Sequence, residues 1–125
     1  MRLLLDTHIF LWAVAGSPQL KPAARSLIES AERVYVSAAS LWEVAIKARL
    51  GKIKVDPDEL LAAIDASGFI ELPVSAAHAV GVARLADHHA DPFDRLLLAQ
   101  AMAEPLKLLT ADRVLADYSE LVVLA

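Results

Sequence analysis

An unbroken apolar run that ends in an acid opens the chain: Arg2-Leu3-Leu4-Leu5-Asp6. A strand with one solvated face would alternate apolar and polar residues, whereas this run is apolar at three successive positions. It therefore predicts a strand buried on both faces, as the central strands of a parallel sheet are. Ligands of such sheets bind beyond the carboxyl ends of the strands, and Asp6 lies at that end.

Short apolar runs alternate with longer helical segments along the rest of the chain. Strands are predicted at residues 2–5, 34–36, 69–72, 106–109 and 121–124. Helices are predicted at residues 7–15, 22–31, 37–50, 56–67, 75–87, 91–103 and 111–117, with Ser37, Asp56 and Asp91 as caps. This alternation predicts an α/β fold: one domain over residues 1–125, with a parallel sheet of about four or five strands and helices on both faces.

The composition limits the kinds of site and compartment. The chain has 125 residues, of which 57% are hydrophobic, and no cysteine, so a disulfide framework and a thiolate metal site are excluded. No apolar run reaches the ~18 residues of a membrane span. The N-terminal segment has one Arg and turns acidic too early for a signal peptide. We therefore expect a cytoplasmic protein with no membrane partner.

The net charge of −4 argues at first against a nucleic-acid partner. Without four acids that are candidates for a site, however, the basic and acidic residues balance at 12 each, from totals of 12 and 16. The charge therefore does not exclude a nucleic-acid substrate, but it predicts weak non-specific binding.

These four acids lie at the edges of apolar segments rather than in charged surface stretches: Asp6, Glu43, Asp94 and Asp112. A carboxylate beside the core loses solvation and needs a partner. Four that converge would need a cation, which is the arrangement of a magnesium-dependent site that cleaves phosphodiester bonds.

Asp6 and Glu43 each have a local explanation as well. Asp6 could cap the helix after it, although Thr7 could do so instead. Glu43 could pair with Lys47 on the surface, which would contribute about 0.2–0.5 kcal/mol. Against this, Ser40, Glu43 and Lys47 form a narrow polar stripe on a helix that is otherwise apolar, and this favours the wall of a site.

Asp94 and Asp112 are harder to separate from helix capping. Asp91 is expected to cap the helix that begins at Pro92, and an acid at position 94 also suits the helix dipole. The apolar run that follows turns Asp94 toward the interior. Thr110 is expected to cap the short helix after the fourth strand, in preference to Asp112.

The four histidines give no zinc site, because none lies at zinc-ligand spacing from another on one helix. His8, two residues after Asp6, could lie at the edge of the site. His88 and His89 are expected in an exposed loop.

Four segments, in order, carry a resemblance to a known family. They are Asp6-Thr7-His8, then Ser40-Leu41-Trp42-Glu43-Val44 with Lys47 and Gly51-Lys52, then Asp91-Pro92-Phe93-Asp94-Arg95 with Ala99-Gln100-Ala101, and finally Thr110-Ala111-Asp112. This set resembles the PIN-domain family and, within it, the VapC-type ribonuclease toxins of bacterial toxin–antitoxin systems. The resemblance covers nearly the whole chain and implies a small α/β fold with a parallel sheet.

The resemblance also implies an activity and a site. It implies an endoribonuclease that depends on Mg²⁺, or on Mn²⁺, held by the four acids, with Thr110 bonding a carboxylate or a metal-bound water. The candidates to hold the RNA backbone are Lys47, Lys52, Lys54 and Arg95, each of which could instead be a solvated surface charge. One departure is Ala90, where relatives often carry a basic residue, and this puts the grip on the substrate in doubt.

Partners follow from the same resemblance, which implies a cognate antitoxin that covers the site. The first and third helices also carry large apolar residues, Trp12 and Trp42 among them, which predict a docking surface and a homodimer. The alternative is a core that holds both tryptophans.

Two other functional classes are alternatives to a nuclease. A phosphorylated receiver domain would need an acceptor Asp at the end of the third strand, and Glu71-Leu72-Pro73 provides none. A metal-free PIN-like module that binds RNA or protein without catalysis is disfavoured by the presence of all four acids.

Overall fold

The computed structural model describes residues 1–87 and 91–125, in which strands and helices alternate. The strands are β1 (Arg2–Leu5), β2 (Arg33–Ser37), β3 (Ile70–Leu72), β4 (Lys107–Thr110) and β5 (Val122–Leu124). The helices are α1 (Thr7–Ala15), α2 (Pro22–Ser30), α3 (Ala38–Arg49), α4 (Pro57–Ala66), α5 (Ala76–Gly81), α6 (Pro92–Ala103) and α7 (Arg113–Ala116), and a 3₁₀ turn, Val82–Arg84, follows α5. Within these described ranges, no helix has the length and apolar character needed to cross a membrane.

The strands form one five-stranded sheet in the order β3-β2-β1-β4-β5, and every neighbouring pair is parallel. β1 is central, since Leu5 pairs with Val36 of β2 on one side and with Leu109 of β4 on the other. The chain runs outward from β1 to β3 and then returns to β4 across the sheet. The direction of winding therefore reverses between β1 and β4, where open α/β sheets place their ligands. The predicted fold class is confirmed.

Each face of the sheet packs against its own apolar core. Alternate side chains of a strand point to opposite faces, so Leu3 and Leu5 enter the core beneath α1 and α2, while Leu4 enters the core beneath α6. All three side chains are fully buried. The predicted central, doubly covered strand is thus confirmed, and it holds its carboxyl end in a fixed position.

Local capping explains most of the helix starts. Ser37 accepts a hydrogen bond from the Ala39 N–H (3.0 Å), and Asp56 accepts one from the Asp58 N–H (2.9 Å). These caps satisfy backbone donors that have no partner inside the helix. Both were predicted as caps, and both helices begin at the next residue.

The prediction of a helix over residues 75–87 is wrong at its carboxyl end. The α-helix stops at Gly81, and the chain turns out of helical geometry after Arg84. Beyond the end of the helix, the Arg95 guanidinium donates to the carbonyl oxygens of Val82 (3.2 Å) and Ala86 (2.8 Å). A distant side chain thus supplies donors to this non-helical segment, and the local sequence does not contain that information.

Candidate active site

Asp6 stands at the carboxyl end of the central strand and is 6% exposed. Its Oδ1 accepts the Ile9 N–H (2.8 Å), which caps α1, and its Oδ2 accepts the Thr110 hydroxyl. Burial raises the pKa of Asp6 above its ordinary 3.8, the negative charge of Glu43 adds to the rise, and the two hydrogen bonds and His8 oppose it. Asp6 is therefore both a helix cap and a buried carboxyl group beside a second acid.

Glu43 is the second buried acid, at 4% exposure. Its Oε1 accepts the Thr7 hydroxyl (2.7 Å), and its Oε2 lies 2.6 Å from Lys47 Nζ. The Thr7 oxygen also lies 3.0 Å from the Ser40 hydroxyl. The polar stripe on α3 thus faces the first turn of α1, as expected for the wall of a site. A purely surface Glu43–Lys47 pair is excluded by the burial of Glu43.

Thr7 is a site residue that the sequence analysis missed. It was considered only as a cap, a role that Asp6 performs. Thr7 is buried and hydrogen-bonds the Glu43 carboxylate, which lies 36 positions along the chain. Its position directly after a site acid, in the first turn of a helix, was the signal available.

The first turn of α6 brings two more acids near the same lysine. Asp91 caps the helix, as predicted, by accepting the N–H groups of Phe93 (2.8 Å) and Asp94 (3.0 Å). The hydrogen bond to Glu43 is the largest cause of the raised pKa of Lys47, and the charges of Asp91 and Asp94 add to it. Asp94 therefore faces the α3 wall, and an edge-to-face contact between Trp42 and Phe93, with ring centres 5.2 Å apart, joins the two helices.

Asp112 lies at the carboxyl end of β4, but the capping prediction there is wrong. Asp112, not Thr110, caps the short α7 by accepting the Val114 N–H (3.0 Å). The Thr110 oxygen accepts the Asp112 N–H (3.1 Å), and its own proton goes to Asp6. Thr110 therefore supports a site carboxylate, as the resemblance implied, and connects the backbone of Asp112 to Asp6.

The basic candidates fall into separate groups. Lys47 is bound to Glu43, whereas Lys52 and Lys54 are exposed. The Arg95 side chain is only 15% exposed and donates to backbone carbonyls and to the Tyr118 hydroxyl (3.3 Å). These contacts argue for a structural role of Arg95 and against the prediction that it holds RNA.

The predictions for the histidines concern His8, His88 and His89. His8 is exposed, its ring centre lies 6.1 Å from that of Trp12, and its charge acts on Asp6; its place at the edge of a site stays a prediction. The prediction of an exposed loop at His88 and His89, and the departure at Ala90, lie outside the described residues.

In their described positions, no three His, Asp or Glu side chains of residues 1–87 and 91–125 come close enough together to hold a metal ion. The donor chemistry fits Mg²⁺ nonetheless, since Asp6 and Glu43 present hard carboxylate oxygens from neighbouring elements. Two buried acids whose charges repel each other also favour a bound cation. Lys47 is the cation that the structure places there.

A second polar cluster lies between α5 and the carboxyl end of α6; it consists of the buried His78 and Gln100 and the partly exposed Glu104, and we call it the α5–α6 cluster. His78 Nδ1 accepts the Ser75 N–H (3.0 Å), and Nε2 lies 2.7 Å from Glu104 Oε2. Gln100 donates to the Pro73 carbonyl (3.3 Å). The sequence analysis did not predict this cluster, because its members are far apart in the chain.

Comparisons with known proteins agree with this fold. The family model of the PIN domain matches residues 3–121. Ribonuclease VapC22 of Mycobacterium tuberculosis is 30% identical over 124 residues, which cover 92% of this chain and 90% of the relative.

Solved structures show the same fold at lower identity. VapBC2 from Rickettsia felis, bound to a DNA fragment from its promoter, has a TM-score of 0.70 at 19% identity and covers 100% of this chain and 98% of its own. DNA-bound VapBC from Salmonella typhimurium has a TM-score of 0.69 at 16% identity, with coverage of 100% and 97%. Given the extent of the family match and the identity to VapC22, the chain belongs to the PIN domain family and, within it, to the VapC-type proteins.

Proposed function

We propose that this chain is a Mg²⁺-dependent endoribonuclease and the toxin of a toxin–antitoxin pair. The observation that carries the proposal is the pair of buried acids, Asp6 and Glu43, at the point where the winding of the sheet reverses. Buried acids of like charge are costly to a fold, and such perturbed groups concentrate at functional sites. The curated relative with 30% identity is a ribonuclease, which supports RNA as the substrate.

The metal would be held by Asp6, Glu43, Asp94 and Asp112, with Mn²⁺ able to replace Mg²⁺. When bound, such an ion activates a water molecule and offsets charge on the phosphate. The protein's own part is to fix the carboxylates. The Ile9 N–H and Thr110 hold the two oxygens of Asp6, and Thr7 orients Glu43.

RNA contact is proposed for the exposed lysines rather than for Arg95. Lys52 and Lys54 follow α3, the helix that carries Glu43, and both are exposed. Positive side chains of this kind hold phosphates without reading the base sequence. Lys47 remains a candidate only if it leaves Glu43.

One observation favours the second candidate, a metal-free module that binds RNA or protein. Lys47 already neutralises Glu43, so the described arrangement is stable without a metal ion. The second buried acid weighs against this candidate, because Asp6 caps α1 without any contribution from Glu43. Metal binding by the purified chain separates the two functions.

The test of the proposed activity is cleavage of an unstructured RNA pool by the purified chain in Mg²⁺ and in EDTA. We expect cleavage in Mg²⁺ alone and none by Asp94→Asn, purified in parallel as the control for contaminating nuclease. Equal cleavage by parent and variant would refute the site. Sequencing of RNA ends after brief expression in cells would then identify the substrate.

The antitoxin is proposed to dock in a groove of about 810 Å³ between α1 and the segment that enters α4. Its apolar lining includes Leu11, Trp12, Val14 and Leu60. A solved structure of similar fold from Klebsiella pneumoniae, with a TM-score of 0.66 at 18% identity, is a toxin–antitoxin complex, which supports a protein partner here. An apolar helix fits the groove, and a basic side chain beyond it would reach the acids.

A homodimer is the second proposed assembly. Trp42 is 60% exposed and Trp12 is half-buried, so the alternative in which the core holds both tryptophans is wrong. The two lie on different helices, and this allows them to serve different partners.

Substitution separates the two surfaces. Trp12→Ala should weaken binding of the antitoxin encoded beside this chain by at least about tenfold, as truncation of an aromatic anchor does, and leave RNA cleavage nearly unchanged. Trp42→Ala is the matched control and should leave antitoxin binding within about threefold of the parent. Calorimetry of the purified pair measures both, and equal losses in the two variants would exclude the α1–α4 groove.

A further inference from the structure

The side chain of Lys47 pairs with Glu43, one of the acids of the proposed metal site. Its Nζ lies 2.6 Å from Glu43 Oε2, and the other oxygen of Glu43 accepts the Thr7 hydroxyl at 2.7 Å. The Glu43 side chain is 5% exposed, so water contributes little to its solvation. Lys47 is thus the main charge that compensates a buried carboxylate.

Lys47 serves more than one acid. Asp91 and Asp94, from the first turn of α6, also act on it electrostatically. One ammonium group therefore interacts with the acid of α3 and with two acids at the start of α6. An ordinary i,i+4 pair on a helix surface would involve neither the second helix nor a buried partner.

A Mg²⁺ ion and this ammonium group would compete for the Glu43 carboxylate, because the two positive charges repel each other. Mg²⁺ binds oxygen at ~2.0–2.1 Å, and a lysine hydrogen-bonded to the same carboxylate would then face a doubly charged ion at close range. The lysine side chain is a flexible four-carbon stem and can move, and that of Lys47 is 36% exposed, so solvent is within its reach.

We propose that Lys47 is a built-in counter-ion that holds Glu43 in the metal-free protein and that Mg²⁺ must displace. Lys47 then sets the metal affinity of the site rather than binding RNA in the resting state. This inference rests on the proposed metal-dependent function. It identifies Lys47 as the residue that competes with Mg²⁺ for the Glu43 carboxylate.

The test is calorimetric titration of Mg²⁺ into the purified chain and two variants at neutral pH. Lys47→Met removes the charge and keeps the length of the side chain, and we expect it to bind Mg²⁺ about tenfold more tightly, or tighter still, which corresponds to ~1.4 kcal/mol. Lys52→Met is the matched control, because Lys52 is exposed, and should bind like the parent. Equal or weaker binding by Lys47→Met, with Mg²⁺ binding intact in the parent, would overturn the inference and leave the metal site standing. Absence of Mg²⁺ binding in all three proteins would overturn the inference together with the proposed function.

A second measurement uses the unaltered protein and covers the case in which Lys47→Met does not fold. Acetylation of lysines by a water-soluble reagent is followed by mass spectrometry with and without Mg²⁺. Release from Glu43 should raise the labelling rate of Lys47 several-fold and leave that of Lys52 unchanged. An unchanged rate at Lys47, at Mg²⁺ concentrations that raise the melting temperature, would contradict displacement.

Discussion

Two polar clusters of this fold contain buried side chains, and the loss of solvation is compensated differently in each. In the α5–α6 cluster, the His78 ring contacts the Glu104 carboxylate and accepts a backbone N–H, and the Gln100 amide donates to a backbone carbonyl. In the acidic cluster, which we define as Asp6, Thr7, Glu43, Lys47 and Thr110, two carboxylates of like charge are buried near each other. In the first cluster His78 and Glu104 are complementary, and among the described residues only Gln100 Oε1 is buried without a hydrogen-bond partner. In the second cluster two acids that repel each other lie together, and one of them pairs with Lys47.

This difference supports the acidic cluster, rather than the α5–α6 cluster, as the proposed functional site. A buried polar group is tolerated wherever it finds a partner, so burial by itself says nothing about function. Placing two acids together costs stability that a fold has no structural reason to lose. We therefore assign the proposed function to the acidic cluster, whereas the α5–α6 cluster joins α5 to the carboxyl end of α6.

The largest expected difference between the clusters is in catalysis. Asp6→Asn should reduce RNA cleavage by several orders of magnitude, because it removes a charged metal ligand while Asn can still cap α1. His78→Ala, in the α5–α6 cluster, should cleave at the parental rate at temperatures where it is folded. Initial rates on one unstructured RNA in Mg²⁺ measure both. A similar loss of cleavage rate in the two variants would contradict the assignment of catalysis to the acidic cluster alone.

A smaller loss is expected from the residue that supports Asp6. Thr110→Val deletes the hydroxyl that bonds Asp6 and should weaken Mg²⁺ binding about 10–100-fold, as the loss of such supporting contacts does. Thr110→Ser keeps the hydroxyl and should bind Mg²⁺ nearly as well as the parent. Calorimetric titration distinguishes the variants, and identical affinities for Val and Ser would show that the hydrogen bond is irrelevant.

The α5–α6 cluster should matter for stability instead. His78→Ala leaves the Ser75 N–H without its partner and should lower the free energy of unfolding by about 1–3 kcal/mol. Glu104→Gln keeps an oxygen opposite His78 and should cost less. Urea unfolding followed by circular dichroism gives both values. A His78→Ala variant as stable as the parent would show that this cluster does not hold the helices.

The smallest effect is a shift of melting temperature with pH. Because the pKa of Asp6 is raised above 3.8, the folded protein favours the neutral carboxyl group. The stability that Asp6 contributes is full below pH 3.8 and is lost as the pH rises through the folded pKa. Without metal, Asp6→Asn should therefore melt a few degrees above the parent near neutral pH, and the difference should shrink toward pH 4. Thermal scans in EDTA from about pH 4 to pH 8 test this. If the melting-temperature difference between Asp6→Asn and the parent grew on acidification, the predicted pH dependence would be contradicted.

The sequence predicted the parts of this molecule that depend on neighbours in the chain. The run Leu3-Leu4-Leu5 predicted the central strand, and Ser37 and Asp56 predicted helix starts. Both features depend on a few adjacent residues. The polar stripe on α3 identified Glu43 for the same reason.

The missed features depend on contacts between distant segments. Arg95 donates to the carbonyls of Val82 and Ala86, which lie at least nine positions away and follow the end of the helix. Thr7 meets Glu43 only because α1 packs on α3, and the Thr110 hydroxyl, which joins Asp6 to the Asp112 N–H, leaves the capping of α7 to Asp112. No local pattern contains this information.

Direct titration of Mg²⁺ into the metal-free parent, Asp6→Asn and His78→Ala by calorimetry at neutral pH is the most direct test of the acidic cluster as a metal site. Two buried acids that repel each other should bind the ion in the parent and in His78→Ala with the same stoichiometry, whereas Asp6→Asn should show no binding at millimolar Mg²⁺. Absence of binding in the parent, or equal binding in Asp6→Asn, would contradict the assignment of the site.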